Sequence, residues 1–216
     1  VQMGLTTSMI GLALGQIFFG PLSDKYGRRP LLLVSMLLFI VSTLFCLFAP
    51  DIYSFVTLRL IQGIAGAGGI VISRSVAIDK FSGKELAKML AVIGAINGVA
   101  PVAAPVIGGL LTGSVGWQGI FMILLFIGIL LGIGCIRFKE SLPAEKRSKT
   151  GVWATFRSFG IIVHNRRYML YVFQLAFAQG ILFAYIASSP FIIQQHYGFS
   201  PFAFSICFAV NAVAIG

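Results

Sequence analysis

Residues 20–30 read GPLSDKYGRRP and stand between two long apolar runs. Two glycines in this stretch permit close backbone approach and unusual dihedral angles, and its aspartate can accept hydrogen bonds. Two arginines add positive charge, which is typical of the cytoplasmic side of a membrane protein. These residues are Gly20, Gly27, Asp24, Arg28 and Arg29. The stretch predicts a tight cytoplasmic turn between two membrane spans, and a generic basic hairpin turn is the alternative.

Composition places the whole chain in a membrane. Of its 216 residues, 58% are hydrophobic and 10% are charged, and the mean hydropathy is +0.96. A helix needs about 20 mostly apolar residues to cross the hydrocarbon core, and such windows recur along the sequence. They are apolar on all faces, which favours helices over a barrel. We therefore expect an all-α polytopic membrane protein with about seven spans, at residues 4–20, 31–49, 55–78, 86–111, 120–136, 168–188 and 202–216.

Positive charge is concentrated on alternate connections between the spans. The chain has 16 Lys and Arg against 6 Asp and Glu. The connections at residues 50–54, 112–118 and 189–201 contain no Lys or Arg. Because cytoplasmic loops carry the excess of Lys and Arg, this alternation places residue 1 outside. The net charge of +10 is therefore a topology signal, and we expect no nucleic-acid partner.

Arg59 is the one basic residue that lies inside an apolar run and away from its cytoplasmic end. An arginine within the membrane is costly, so it should face the bundle interior or a water-filled cavity and be paired. Gln62 lies one turn on. The acids all lie in or beside loops, so we expect the carboxylate or polar partner of Arg59 upstream of residue 1 or beyond residue 216. An arginine near the outer interface that extends to water is the alternative. The acids are Asp24, Asp51, Asp79, Glu85, Glu140 and Glu145.

Residues 94–109 read GAINGVAPVAAPVIGG. Proline removes a backbone donor and bends a helix, and glycine with alanine permits close contact between helices. The run therefore predicts a bent, tightly packed span, although Gly and Pro are common in membrane helices generally. Its key positions are Gly94, Gly98, Pro101, Pro105, Gly108 and Gly109.

Several other polar residues are candidates for contacts. Asn97, Gln174 and Gln179 fall within apolar runs, and with Arg59 and Gln62 they are candidates to line a polar cavity between helices; Asn97 is also suited to hydrogen bonding between helices. At the cytoplasmic end of the third span, Arg74 and Asp79 predict an ion pair or helix-end contact, or a surface pair of little value. No spacing of Cys, His or acids points to a metal.

Three of these motifs resemble those of the major facilitator superfamily. Residues 20–30 match the pattern G-x-L-x-D-x-x-G-R-R of the loop between the second and third helices of that family, which is thought to help control switching between inward-open and outward-open states. Residues 59–63, RLIQG, are similar to the R-x-x-Q-G signature of helix four in drug:proton antiporters, whose arginine is implicated in proton coupling. Residues 94–109 resemble the helix-five motif G-x-x-x-G-P-x-x-G-G, with Ala100 and Ala104 in place of two glycines.

With FKESLP at residues 138–143, the motifs look most like the bicyclomycin-resistance (Bcr/CflA) drug exporters. The resemblance implies a partial major facilitator fold, about seven of twelve helices, without the first helix and most of the C-terminal bundle. Residues 1–136 would be helices two to six, residues 137–167 a cytoplasmic basic linker and residues 168–216 helices seven and eight. Residues 153–163 in the linker suit either a membrane-surface helix or an ordinary loop.

The resemblance implies proton-coupled efflux of amphipathic drugs or small metabolites across the bacterial inner membrane by alternating access. The partners would be a small-molecule substrate, protons and the lipid bilayer. We expect a monomer that is not an enzyme and has no cofactor. Proton-coupled uptake of a small metabolite by another member of the superfamily is the alternative. A retinal receptor is disfavoured because residues 168–216 contain no Lys.

Overall fold

The structure is a computed structural model that describes residues 2–148, 160, 162–200, 202–204, 206–208 and 210. These residues contain helices and connections but no strand, so the expected all-α class is confirmed. The helices are α1 (Gln2–Tyr26), α2 (Arg28–Leu47), α3 (Ile52–Lys80), α4 (Gly83–Ile136) and α5 (Arg166–Pro190). A short 3-10 helix covers Ala144–Lys146, and a π-helix at Phe191–His196 follows α5.

Five stretches of the described residues are long and apolar enough to cross a membrane, and each overlaps a predicted span. They are Met3–Tyr26, Arg28–Leu47, Ile52–Lys80, Gly116–Ile136 and Arg166–His196. The predicted span 86–111 is helical along its whole length as part of α4. The predicted span 202–216 and the surface helix at 153–163 fall mainly outside the described residues.

The connections between the first helices are short. Only Gly27 separates α1 from α2, so the predicted tight turn is a single residue. The start of α3 is capped by Asp51, whose carboxylate accepts a hydrogen bond from the backbone N–H of Ser54 at 2.8 Å. Such a cap satisfies one of the free donors at a helix start and fixes where the helix begins.

A break at Gly116 divides α4 into two helices. Its backbone angles, φ 65° and ψ −176°, lie outside the helical region, and a positive φ favours glycine. The sequence predicted a loop over residues 112–118, but helical structure continues on both sides of this one residue. Trp117 follows directly and packs edge to face against Phe55 of α3, with ring centroids 6.2 Å apart.

The chain divides into two compact units. Unit 1 comprises Val1–Val99 and Leu111–Lys149, and unit 2 comprises Ala100–Leu110 and Thr150–Gly216. Residues 137–148, the first part of the predicted linker, therefore belong to unit 1 together with the first three helices. In unit 2, the rings of Tyr185 and Phe208 stack with centroids 5.3 Å apart.

Glycines bring α1 and α3 of unit 1 into close contact. A Cβ atom at Gly63 would overlap the carbonyl oxygen of Ser8, and one at Gly11 would overlap the carbonyl oxygen of Leu60. A Cβ atom at Gly15 would lie only 2.6 Å from the Cβ atom of Ala67. Small residues of this kind let the backbones of membrane helices approach each other closely. The approach brings the first two turns of α1 against the part of α3 that contains Arg59.

A small apolar core extends this contact toward α2. Phe19, Ala67 and Ile72 are its buried members. The second half of α4 also contacts α2, since a Cβ atom at Gly128 would lie 3.3 Å from the ring of Phe39. These contacts join α1, α2, α3 and the second half of α4 around the candidate site.

Candidate functional site

Arg59 lies at the contact between α1 and α3 and makes three hydrogen bonds. Its Nε donates to the carbonyl oxygen of Gly4 at 3.4 Å, and its Nη2 donates to Oγ of Ser8 at 3.1 Å. Its Nη1 donates to Oε1 of Gln62, which lies on the same face of α3. The structure therefore brings together two of the residues that the sequence suggested for one site.

Gln62 continues these contacts into α2. Its side chain is 3% exposed, and its Nε2 donates to Oγ1 of Thr43 at 2.6 Å. Thr43 in turn donates to the carbonyl oxygen of Phe39 at 2.6 Å. We call Ser8, Thr43, Arg59 and Gln62 the arginine network. It joins α1, α2 and α3 through polar side chains within an otherwise apolar bundle.

The acceptors around Arg59 are all neutral oxygens. Among the described residues, no Asp or Glu forms an ion pair with it. The prediction that a polar acceptor would lie outside the chain was wrong, because Gly4, Ser8 and Gln62 supply three. They are reached because the glycine contact brings α1 against α3. A carboxylate partner from elsewhere stays a prediction.

An aromatic cluster lies on another side of the guanidinium. Phe55, Trp117 and Phe121 pack edge to face, with ring centroids 5.7 to 6.2 Å apart. The guanidinium carbon of Arg59 lies 5.8 Å from the centroid of Phe121, which is within the range of a cation–π contact. The site therefore combines a positive group with apolar ring surface.

Arg28 is the centre of a second cluster at the other end of the same helices. It is 6% exposed, and its Nη1 lies 2.5 Å from Oδ1 of Asp24 and 2.7 Å from Oγ of Ser23. Its Nε lies 2.9 Å from Oδ2 of Asp79, near the end of α3. A rise of 1.5 Å per residue puts Asp79 about 30 Å from Arg59 along α3. Arg28 thus connects the ends of α1 and α3 with the start of α2.

Glu140 caps the start of α2 from a distant part of the chain. It accepts hydrogen bonds from the backbone N–H groups of Arg28 at 2.9 Å and Arg29 at 3.1 Å. Its Oε1 also accepts from the backbone of Ser141 at 3.0 Å and Leu142 at 3.1 Å. Burial raises the pKa of Glu140, but these donors outweigh burial and hold the pKa below its usual value. We call Asp24, Arg28, Asp79 and Glu140 the loop cluster.

Gly27 makes room for this carboxylate. Its φ is 101°, which favours glycine, and a Cβ atom there would lie 2.5 Å from Oε2 of Glu140. Arg147 lies on the same side, with its Nη2 3.7 Å from Oε2 of Glu140. Arg29 donates from Nη2 to the carbonyl oxygen of Ile136 at 2.9 Å. The stretch GPLSDKYGRRP is therefore bound to the end of α4 and to the segment that follows it.

The ion pair predicted between Arg74 and Asp79 is absent from the part of the chain that the structure describes. The carboxylate of Asp79 is directed to Arg28 instead, and its Oδ2 also accepts from Oγ of Ser141 at 3.1 Å. Arg74 is exposed on α3. Of the predicted alternatives, the ion pair was wrong, because a buried arginine from another helix outweighs proximity along one helix. Asp79 does make a contact at the helix end, with Arg28.

Four candidates from the sequence remain, on α1, α4 and α5. Asn97 is exposed on α4, and Gln174 and Gln179 are exposed on α5, which belongs to unit 2. Gly20 is an ordinary helical residue of α1. A Cβ atom at this position would have Val71 as its nearest neighbour, 4.0 Å away. Their proposed roles in lining or switching stay predictions.

The packing role of residues 94–109 also stays a prediction. The backbone is helical throughout this run. A Cβ atom at Gly94 or Gly98 would meet no atom of the described chain within 4 Å. The surroundings of Pro101, Pro105 and Gly109 lie outside what the structure describes, and Gly108 is half-buried.

Sequence reasoning missed three residues that the structure places in these sites. Ser8 and Thr43 are hydroxyl residues in apolar helices, where Ser and Thr usually bond to their own helix, so nothing in the sequence marked them. Glu140 was noted only as one of the loop acids and as part of FKESLP. The pair Gly11 and Gly15, spaced as in the small-xxx-small pattern, would have indicated the close contact of α1 with another helix.

Comparison with known proteins agrees with these features. The family model described as Major Facilitator Superfamily matches residues 1–216. An uncharacterized MFS-type transporter of Bacillus subtilis, YdgK, is 40% identical over 218 residues, and a bicyclomycin resistance protein homolog of Haemophilus influenzae is 30% identical over 217 residues. Each alignment covers 100% of this chain and 54% of the relative.

A more distant sequence relative and a solved structure also match the chain. The multidrug resistance protein MdtL of Salmonella heidelberg is 24% identical, and the match covers 98% of this chain and 53% of that protein. The crystal structure of the human organic anion transporter MFSD10 (TETRAN) superimposes with a TM-score of 0.72 at 21% identity, over 98% of this chain and 53% of that chain. The chain spans about half the length of the curated relatives that it matches. It belongs to the major facilitator superfamily.

Proposed function

We propose that this chain forms part of an inner-membrane transporter that exports amphipathic drugs in exchange for protons, and that Arg59 lies in its coupling site. The observation that carries the proposal is the binding of a guanidinium between two membrane helices by neutral oxygens alone. An arginine in such a place is costly to insert, so it is expected to have a function.

The neutral surroundings suit a residue that responds to a change of charge nearby. A permanent ion pair would keep Arg59 bound to one partner, because separating a desolvated pair of charges is costly. Hydroxyl, amide and carbonyl oxygens satisfy the guanidinium without neutralising its charge. A carboxylate that gains or loses a proton can then approach or leave Arg59 during a transport cycle.

The aromatic cluster supports the substrate class. Phe55, Trp117 and Phe121 lie beside Arg59, so apolar ring surface adjoins a polar group. Amphipathic compounds need both kinds of contact, and pockets that bind small molecules combine them. The names of two relatives, a bicyclomycin resistance protein homolog and a multidrug resistance protein, point in the same direction.

The loop cluster supports alternating access. The stretch GPLSDKYGRRP contacts the end of α3 through Asp79, the end of α4 through the carbonyl of Ile136, and the following segment through Glu140. These contacts lie at the end predicted to be cytoplasmic. Buried charges of this kind form discrete contacts that are either made or broken. We propose that the cluster makes the first bundle a rigid body, which rocks around a central cavity as in other members of the superfamily.

Export is tested by expressing the complete protein that carries this chain in cells without their own exporters. The steady-state accumulation of ethidium is followed with and without a protonophore. Lower accumulation than in control cells, restored by the protonophore, is the expected result. Equal accumulation in cells with and without the protein would contradict drug export. Proton-coupled uptake of a metabolite would then be the function to examine.

A matched pair of variants locates the coupling site. Arg59→Ala removes the proposed coupling residue and is expected to restore ethidium accumulation to the level of control cells. Lys88→Ala removes an exposed positive charge from α4 and is expected to export as the unmodified protein does. Loss of export in both variants would show that total charge, and not the position of Arg59, decides the outcome.

A further inference from the structure

The guanidinium of Arg59 sets the direction of the neighbouring hydrogen bonds in the arginine network. An arginine side chain has donors only, so the atom of Gln62 that faces it must be the acceptor Oε1. The Nε2 group of Gln62 then faces Thr43, and Oγ1 of Thr43 accepts at 2.6 Å. The proton of Thr43 is consequently directed to the carbonyl oxygen of Phe39, also at 2.6 Å. Each of these groups has one orientation that satisfies all of them.

We infer that Thr43 is a positioning residue for the proposed coupling site, because its hydroxyl oxygen holds the amide of Gln62 with Oε1 toward Arg59. The inference rests on the proposed function of Arg59. Thr43 is on α2, whereas Arg59 and Gln62 are on α3, so the effect crosses between helices. Thr43 has no direct hydrogen bond to Arg59 and acts through Gln62 alone.

Burial leaves no substitute for the hydroxyl of Thr43. Thr43 is 0% exposed and Gln62 is 3% exposed. Loss of the hydroxyl would leave Nε2 of Gln62 without a partner, and a buried donor without a partner is unfavourable. Rotation of the amide would bring its NH₂ group against the guanidinium, where two donors repel. Either outcome weakens the contact between Gln62 and Arg59.

Ser42 provides a matched control beside Thr43. It is 2% exposed, and its Oγ donates to the same carbonyl oxygen of Phe39 at 3.1 Å. The hydrogen bonds of Gln62 in the described chain go to Thr43 and Arg59, not to Ser42. Ser42→Ala therefore removes a buried hydroxyl with the same local bond but without the link to Gln62.

The test uses the complete protein in liposomes and measures the proton flux that tetraphenylphosphonium drives. Thr43→Val keeps the shape of the side chain and removes its hydroxyl. It is expected to lower the proton flux about fivefold, which corresponds to the contribution of one buried hydrogen bond. Thr43→Ser restores the hydroxyl and is expected to recover the flux. Ser42→Ala is expected to equal the unmodified protein. Equal effects of Thr43→Val and Ser42→Ala would overturn the inference while the role of Arg59 stands.

A double-mutant cycle separates positioning from general stability. Thr43→Val combined with Gln62→Ala is expected to have the same flux as Gln62→Ala alone, because Thr43 has no other route to Arg59. Independent, multiplying losses would overturn the inference.

If tetraphenylphosphonium drives no proton flux in the unmodified protein, that result counts against the proposed function. A third measurement then tests the inference about Thr43. The thermal unfolding of purified Thr43→Val, Arg59→Ala and their double variant is then compared. Non-additive shifts in Tm would support the link through Gln62, and additive shifts would overturn it.

Discussion

Nε of Arg28 lies 2.9 Å from Oδ2 of Asp79, although 51 residues separate them in the sequence. The two side chains are 8% and 13% exposed, so the pair is largely shielded from solvent. Charge-assisted hydrogen bonds are stronger when desolvated, and a partner left alone there is costly. This contact binds the start of α2 to the end of α3 and is therefore a principal support of the loop cluster.

The first prediction concerns this pair. Asp79→Asn keeps the shape but removes the charge, and it is expected to lower the free energy of unfolding by about 2 kcal/mol, as for a hydrogen bond to a charged group. Arg74→Gln on the same helix is expected to change it little, because exposed charges contribute little. Thermal unfolding of the purified complete protein checks both. A larger loss for Arg74→Gln would contradict the observed pairing.

The second prediction concerns acid stability. The pKa of Glu140 is held below its usual value in the folded protein, so its contribution is present above the unfolded pKa of about 4.3 and is lost as pH falls through the folded pKa. Glu140→Gln is therefore expected to lower Tm at neutral pH and to reduce the further fall in Tm on acidification. Tm is measured from neutral pH down to about pH 3.

Glu145→Gln is the control for this series, because Glu145 is exposed in the 3-10 helix after Glu140. It is expected to retain the pH dependence of the unmodified protein. An unchanged acid profile in Glu140→Gln would show that the cap on α2 contributes nothing to stability.

The third prediction concerns the contact between α1 and α3. Gly63→Val would place side-chain atoms on the carbonyl oxygen of Ser8 and is expected to lower the free energy of unfolding by about 2 kcal/mol through overpacking. Gly69→Val adds the same side chain to α3 where a Cβ atom meets nothing within 4 Å of the described chain. It is expected to be tolerated. Thermal unfolding of both variants checks the contact. Equal Tm values for the two variants would contradict it.

Contacts along one helix could be predicted from the sequence. Arg59 and Gln62 are three residues apart, and helical geometry puts them on one face. The same geometry explains the membrane spans, because apolar runs of sufficient length are visible without a structure. The positive φ of Gly27 also follows from its place in a tight turn, since glycine adopts such angles without strain.

Contacts between distant segments could not be predicted from spacing. Glu140 caps α2 from 112 residues away, and Thr43 bonds to Gln62 across two helices. The carboxylate that Arg28 binds is determined by how the helices pack. Packing depends on glycine contacts, and the sequence pattern does not show which helix each glycine will contact. The ion pair expected between Arg74 and Asp79 failed for this reason.

The most direct test of the account is the drug-driven proton flux of the complete protein in liposomes. Ethidium is added to liposomes that contain the unmodified protein, Arg59→Ala or Lys88→Ala, and proton movement is followed with a pH-sensitive dye. We expect proton flux in the unmodified protein and in Lys88→Ala, and none in Arg59→Ala. Equal proton flux in all three proteins would contradict the assignment of Arg59 to the coupling site.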